Sequence, residues 1–151
     1  LNQLVEEKRN IDHGTDSSLN AYKFDETIIS LENLEDFTDH TSFRNDSVSH
    51  KQFINLQKMF TKSMRYEVID LHHEKSTLSG LNALNDFFDK CFGKITHLKI
   101  IHGKGNHSRN NFSPMRSMVR KFLLNTSIVL AFCEAELKDG GNGATYVLIK
   151  K

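Results

Sequence analysis

Apolar residues along the chain recur with two periods. Spacings of three or four residues predict helices, and short branched or alternating runs predict strands. In residues 49–63, "SHKQFINLQKMFTKS", Phe53, Leu56 and Phe60 share one helical face with Ile54 and Met59 beside it. A serine near the start suits a helix cap. In residues 76–92, "STLSGLNALNDFFDKCF", the repeat is Leu81, Leu84, Phe88 and then Cys91 or Phe92, and Gly93 follows as a stop. A third helix opens at Ser113-Pro114, because serine caps and proline tolerates the first helical position. Met115, Met118, Val119 and Phe122 form its apolar face. The strands are "YEVIDL" from Tyr66, "ITHLKII" (95–101), "SIVLAFCEA" (127–135) and "ATYVLIKK" (144–151). The glycine-rich turn "DGGNG" precedes the last of them. Upstream of residue 49 the pattern thins. "FDETIISLENLEDF" (24–37) has the spacing of a short amphipathic helix or a docking peptide, and residues 1–20 read as turn or disorder.

From residue 66 the order is β-α-β-α-β-β. The predicted fold class is therefore α/β: a two-layer arrangement of a four-stranded mixed sheet and two main helices. Two βαβ crossovers set the first three strands parallel with right-handed connections. The hairpin-like turn sets the last strand antiparallel. The division falls near residue 65, with a partly helical, partly disordered extension at 1–65 and the α/β domain at 66–151.

Charge sharpens this division. Residues 1–40 hold 3 basic and 10 acidic side chains, whereas residues 66–151 hold 12 and 8. The basic part suits a polyanion such as RNA or DNA, and the acidic part a solvated or protein-binding segment. The longest apolar run, Ile128 to Cys133, is far too short to span a bilayer, so no membrane role is expected. Two cysteines, Cys91 and Cys133, make no disulfide framework and fit a reduced, cytoplasmic compartment. They read as small buried apolar residues.

Chemistry gathers at two strand ends. The first strand ends in "DLHH", Asp70 to His73, and the second in "HGKG", His102 to Gly105. In a parallel pair both carboxyl ends lie on one side of the sheet, where open α/β sheets bind ligands. Asp70 and His72 are two apart and share a strand face. A carboxylate beside an imidazole orients it for general acid–base work. Gly103 and Gly105 allow backbone N–H groups to approach an anion, and Lys104 adds a mobile charge. Arg109, Arg116 and Arg120 extend that charge, while His107 is a further loop imidazole. The bland alternatives are an Asp70 that only caps a helix, loop histidines that are merely solvated, and a glycine turn with a solvated lysine. Asp70, His72, His102 and His107 are also possible ligands of a divalent ion. No compact ligand spacing is present, and no metal site is assigned.

"VIDLHHEK", "LKIIHGKGNHS", "VRKFL" and "VLAFCEAELKDGGNGATYVLIKK" together resemble the Smr (small MutS-related) domain, over about residues 66–151. That pattern is a DLHG box, an HGKG box and a GG-x-GA-x-x-V ending, in this order. The segment "SHKQFINLQKMFTKSMR" is similar to the helix that leads into stand-alone bacterial Smr proteins. The resemblance implies a fold like the C-terminal domain of translation initiation factor three. It also implies nucleic-acid binding with endonuclease activity: DNA nicking in some members, cleavage of mRNA on stalled or collided ribosomes in others. Catalytic importance in the family falls on Asp70 and His72, and substrate binding on His102, Gly103, Lys104 and Gly105. One position departs: His73 stands where the family has glycine.

The function expected is therefore cleavage of structured or ribosome-associated RNA, or nicking of branched DNA. Asp70, His72 and His102 are the catalytic candidates. His73, Gly103, Lys104, Gly105, His107, Arg109, Arg116 and Arg120 are the nucleic-acid contacts. An RNA reaction run by two imidazoles needs no cofactor, whereas DNA nicking calls for an activated water and a divalent metal such as Mg2+. The extension is a candidate ribosome contact. The alternative is a non-catalytic nucleic-acid-binding module of the same fold. A purely structural interaction protein is a third and weaker option.

Overall fold

In a computed structural model, residues 33–105 and 112–151 are described. They contain five strands, β1 (Phe43–Arg44), β2 (Glu67–Asp70), β3 (His97–Ile101), β4 (Val129–Glu134) and β5 (Ala144–Ile149), and three α-helices, α1 (His50–Gln57), α2 (Thr77–Cys91) and α3 (Pro114–Leu124). The helix starts are those the sequence signals. Ser49, Ser76 and Ser113 each accept a backbone N–H of the first turn, and Pro114 occupies the first turn of α3. Gly93, at φ 80°, ends α2 as expected. Helix α1 is shorter than its apolar pattern, because the chain turns away after Gln57 and reaches a left-handed Ser63.

The sheet order is β1-β4-β5-β3-β2. Strands β2 and β3 pair in parallel, and β5 lies antiparallel between β3 and β4. The expected crossovers and the antiparallel closing strand are thus present. Two features extend the expected plan. The short β1, from the upstream segment, adds a fifth strand by pairing with β4. The upstream helix α1 then makes a second helical layer. Alternate residues explain why. On one face Leu98, Ile100, Phe132, Val147 and Ile149 pack with Leu81, Leu84 and Phe88 of α2 and Met118, Val119 and Phe122 of α3. On the other, Ala131, Cys133, Tyr146 and Leu148 pack with Val48, Leu56 and Met59. A sheet apolar on both faces needs cover on both. Of the 24–37 segment, only its end is described: Leu34–Phe37 forms a 3₁₀ turn with Leu34 buried. The remainder, and residues 1–20, lie outside the described residues. Among those described, no helix is long and apolar enough to cross a membrane.

Candidate active site at the ends of two parallel strands

Asp70 is the last residue of β2 and sits in register with Ile101, the last of β3. The next amide, Leu71 N–H, donates to the Ile101 carbonyl at 2.7 Å and holds the two strand ends together. Leu71 is fully buried and anchors the "DLHH" segment, while Asp70, His72 and His73 on either side of it are exposed.

The Asp70 carboxylate accepts the His72 backbone N–H at 3.0 Å. The same oxygen, Oδ1, pairs with His72 Nδ1. The imidazole is therefore oriented by a carboxylate that its own backbone holds in place. Partial burial pushes the Asp70 carboxyl up. The hydrogen bonds from the His72 ring and amide and the nearby imidazoles outweigh this, and hold it below the usual carboxylate range. With Nδ1 engaged, the Nε2 edge of His72 is the one left for a substrate. His73 lies over His72, with ring centroids 3.5 Å apart.

The "HGKG" segment closes against the same place. A Cβ at Gly103 would stand 3.6 Å from the His72 Cβ, so the glycine lies directly beside the His72 side chain. Gly103 and Gly105 have φ of 87° and 74°, conformations that disfavour a side chain. The third box arrives here too. The Gly143 carbonyl accepts the N–H groups of both His102 and Gly103, at 3.1 and 2.9 Å. Lys104 packs along Gly143, where a Cβ would meet its Cγ at 2.9 Å. The three separated sequence boxes thus form one contiguous patch. The amides of His102 and Gly103 are spent on Gly143 and do not point to an anion. The phosphate-cradle reading of that part of the loop gives way to a loop clamp.

His102 differs most from its expected place. It is 4% exposed. Its Nδ1 lies 2.9 Å from the Gly103 carbonyl, which can only accept, so Nδ1 carries the proton. Its Nε2 lies 2.9 Å from the Thr145 hydroxyl. Burial pushes its pKa down to about 4, despite the Gly103 carbonyl and with help from Arg120 and Arg116. The ring is neutral at physiological pH, with Nε2 accepting from Thr145. It braces the loop.

Arg116 and Arg120 are also buried, at 7% and 3% exposure. Arg116 reaches the carbonyls of Lys104 and Asn142 and ties the "HGKG" and "GGNG" loops together. Arg120 pairs with Glu134 at 3.3 Å and donates to the Thr38 carbonyl. Both guanidiniums point at protein groups. Lys104 is the exposed cation of the "HGKG" box. His107 and Arg109 lie outside the described residues.

Sequence reasoning missed Thr145, the role of the Gly143 carbonyl and the half-buried Asp139 network. Asp139 accepts from Lys99 Nζ at 2.6 Å and from the Tyr146 hydroxyl at 2.7 Å, and so fixes the turn that delivers Gly143. The "DGGNGAT" run was the available signal. Among the described residues, one group of side chains could hold a metal ion: Asp70, His72 and His73, whose ligand atoms lie within 4.8 Å of one another. His102 does not join it, since both its ring nitrogens are occupied. Cys91 and Cys133 are buried free thiols, as expected, and burial pushes that of Cys133 up to about 12.

The Smr domain family model matches residues 69–150. The probable DNA endonuclease SmrA of Escherichia coli (strain K12) is 37% identical over 57 residues, covering 38% of this chain and 30% of that relative. The chain thus spans less than a third of the relative's length. The crystal structure of YdaL, a stand-alone small MutS-related protein from Escherichia coli, superposes with a TM-score of 0.61 at 25% identity. It covers 85% of this chain and 92% of YdaL. The Smr domain of Thermus thermophilus MutS2 is 22% identical with a TM-score of 0.49, covering 56% of this chain and 99% of that domain.

Proposed function

This chain belongs to the Smr domain family, and on that premise we propose that it is a nucleic-acid endonuclease whose acid–base residue is His72. The family and the SmrA relative support a nuclease or nucleic-acid-binding role. The observation that carries the finer reading is the Asp70–His72 pair, exposed at the joined ends of two parallel strands. Asp70 stays ionised, fixes the tautomer with the proton on Nδ1, and leaves Nε2 as the base. Lys104 supplies positive charge for the phosphate from the neighbouring loop.

A base of this kind takes the proton of a ribose 2′-hydroxyl directly, which makes structured RNA the substrate these residues serve best. The relative's name points to DNA. DNA lacks that hydroxyl, and its cleavage needs an activated water. The second reading, a binding module without turnover, draws on His73, whose ring covers part of His72.

The test uses end-labelled RNA and DNA hairpins of one sequence with the parent and His72→Ala. We expect RNA fragments from the parent, a loss of about 100-fold or more in cleavage rate for His72→Ala, and little change in hairpin affinity. Retarded but uncut RNA with the parent would favour the binding module. Equal loss of binding and cleavage in His72→Ala would refute the base assignment.

A further inference from the structure

Asp70, His72 and His73 converge although they occupy only four consecutive positions. The turn after β2 brings one carboxylate and two imidazoles together, with ligand atoms within 4.8 Å of one another. Their environments differ from those of His102 and His97. His102 is sealed between Gly103 and Thr145, and His97 is half-buried beside Thr96. The His73 ring has no hydrogen-bond partner among the described residues, yet it lies 3.5 Å from His72, centroid to centroid. All three groups are exposed, so water can complete a coordination shell.

We propose that Asp70, His72 and His73 form a binding site for one divalent transition-metal ion of the zinc or cobalt kind. One carboxylate and two imidazoles are borderline donors, which favour such ions over the oxygen-loving Mg2+ or Ca2+. Three protein ligands leave positions open for water or a phosphate oxygen. An ion held by Asp70 and His72 Nδ1 takes the place of the hydrogen bond between them, and the imidazole proton moves to Nε2. The proposal goes beyond the nuclease reading, because the ion binds whether or not the site cleaves anything.

The experiment is titration of the untagged full chain with Zn2+ by calorimetry, and with Co2+ by visible absorption. Parent, His73→Gly, Asp70→Asn and the control His50→Gln are compared, each checked for fold by circular dichroism. We expect one Zn2+ equivalent and one set of Co2+ bands in the parent and in His50→Gln. Affinity should fall roughly 10-fold or more in each of the two site variants. Imidazole 15N shifts should move for His72 and His73 and stay fixed for His102. No one-equivalent binding to the parent would overturn the site, as would binding left intact by both site variants. Hairpin cleavage is not a readout here, so the metal site and the nuclease reading fail separately.

Discussion

At the scale of single residues, His102 shows how burial decides a role. An imidazole in a strand-end box reads as chemistry, but this one is a neutral brace between Gly103 and Thr145. The consequence for stability is definite. Its pKa is about 4 in the folded chain against an ordinary value of 6.5. The unfolded chain thus binds the proton more readily, and acid favours unfolding. The contribution is fully present above about pH 6.5 and is lost as pH falls toward about 4. Between pH 7 and pH 5 it amounts to about 2 kcal/mol. Urea unfolding of the parent and of His102→Gln at both pH values checks this: the variant should lose that much less stability on acidification. An equal loss in both proteins would mean that His102 is charged or exposed. The pairing of Asp70 with His72, by contrast, was legible from sequence, since a spacing of two needs no distant partner, although His72 lies in the turn after β2 and not on the strand face expected. The role of His102 was not, because its partner Thr145 is 43 residues away. Arg116 and Arg120 misled in the same way: their targets, Asn142 and Glu134, lie on segments that only the folded sheet brings near.

At the scale of elements, the segment that leaves β3, residues 102–105, is held at close quarters, and its glycines differ in what they tolerate. Gly103→Ala meets the His72 Cβ at an ordinary 3.6 Å, so its cost is mainly that of a positive φ, about 1–2 kcal/mol. Gly105→Ala carries the same penalty and also a clash. Its Cβ would lie 2.8 Å from the Ser113 Cβ and 3.1 Å from the Ser113 Cα. A backbone atom cannot step aside as a flexible side-chain end does, and Ser113 is the cap of α3. We expect Gly105→Ala to be the more damaging, at roughly 2–4 kcal/mol, with α3 frayed at its start. Thermal unfolding of the two variants ranks them, and the reverse order would show that the loop shifts freely. The elements were readable because serine caps, proline and Gly93 punctuate the chain. The clamp on Gly143 was not, since a backbone carbonyl leaves no mark in a sequence.

At the scale of the whole molecule, stability depends on a layer that the domain pattern alone does not contain. The four main strands and two helices follow from periodicity. Strands β4 and β5, however, are apolar on both faces, and the predicted two-layer plan left one of those faces without cover. The upstream segment provides it. Val48, Leu56 and Met59 are buried on the face formed by Ala131, Cys133, Tyr146 and Leu148. Burying three such side chains contributes about 1.5–3 kcal/mol each, a sum comparable to the whole stability of a small domain. Further upstream, Thr38 accepts from Arg120, and β1 covers the β4 edge. A fragment of residues 66–151 should therefore unfold far more easily than one of residues 33–151, or associate through its bared sheet face. Urea unfolding and size-exclusion chromatography of the two fragments test this. Equal midpoints with both fragments monomeric would mean that the second layer is ornamental, and that α2, α3 and the sheet alone set the stability on which the Asp70–His72 site rests.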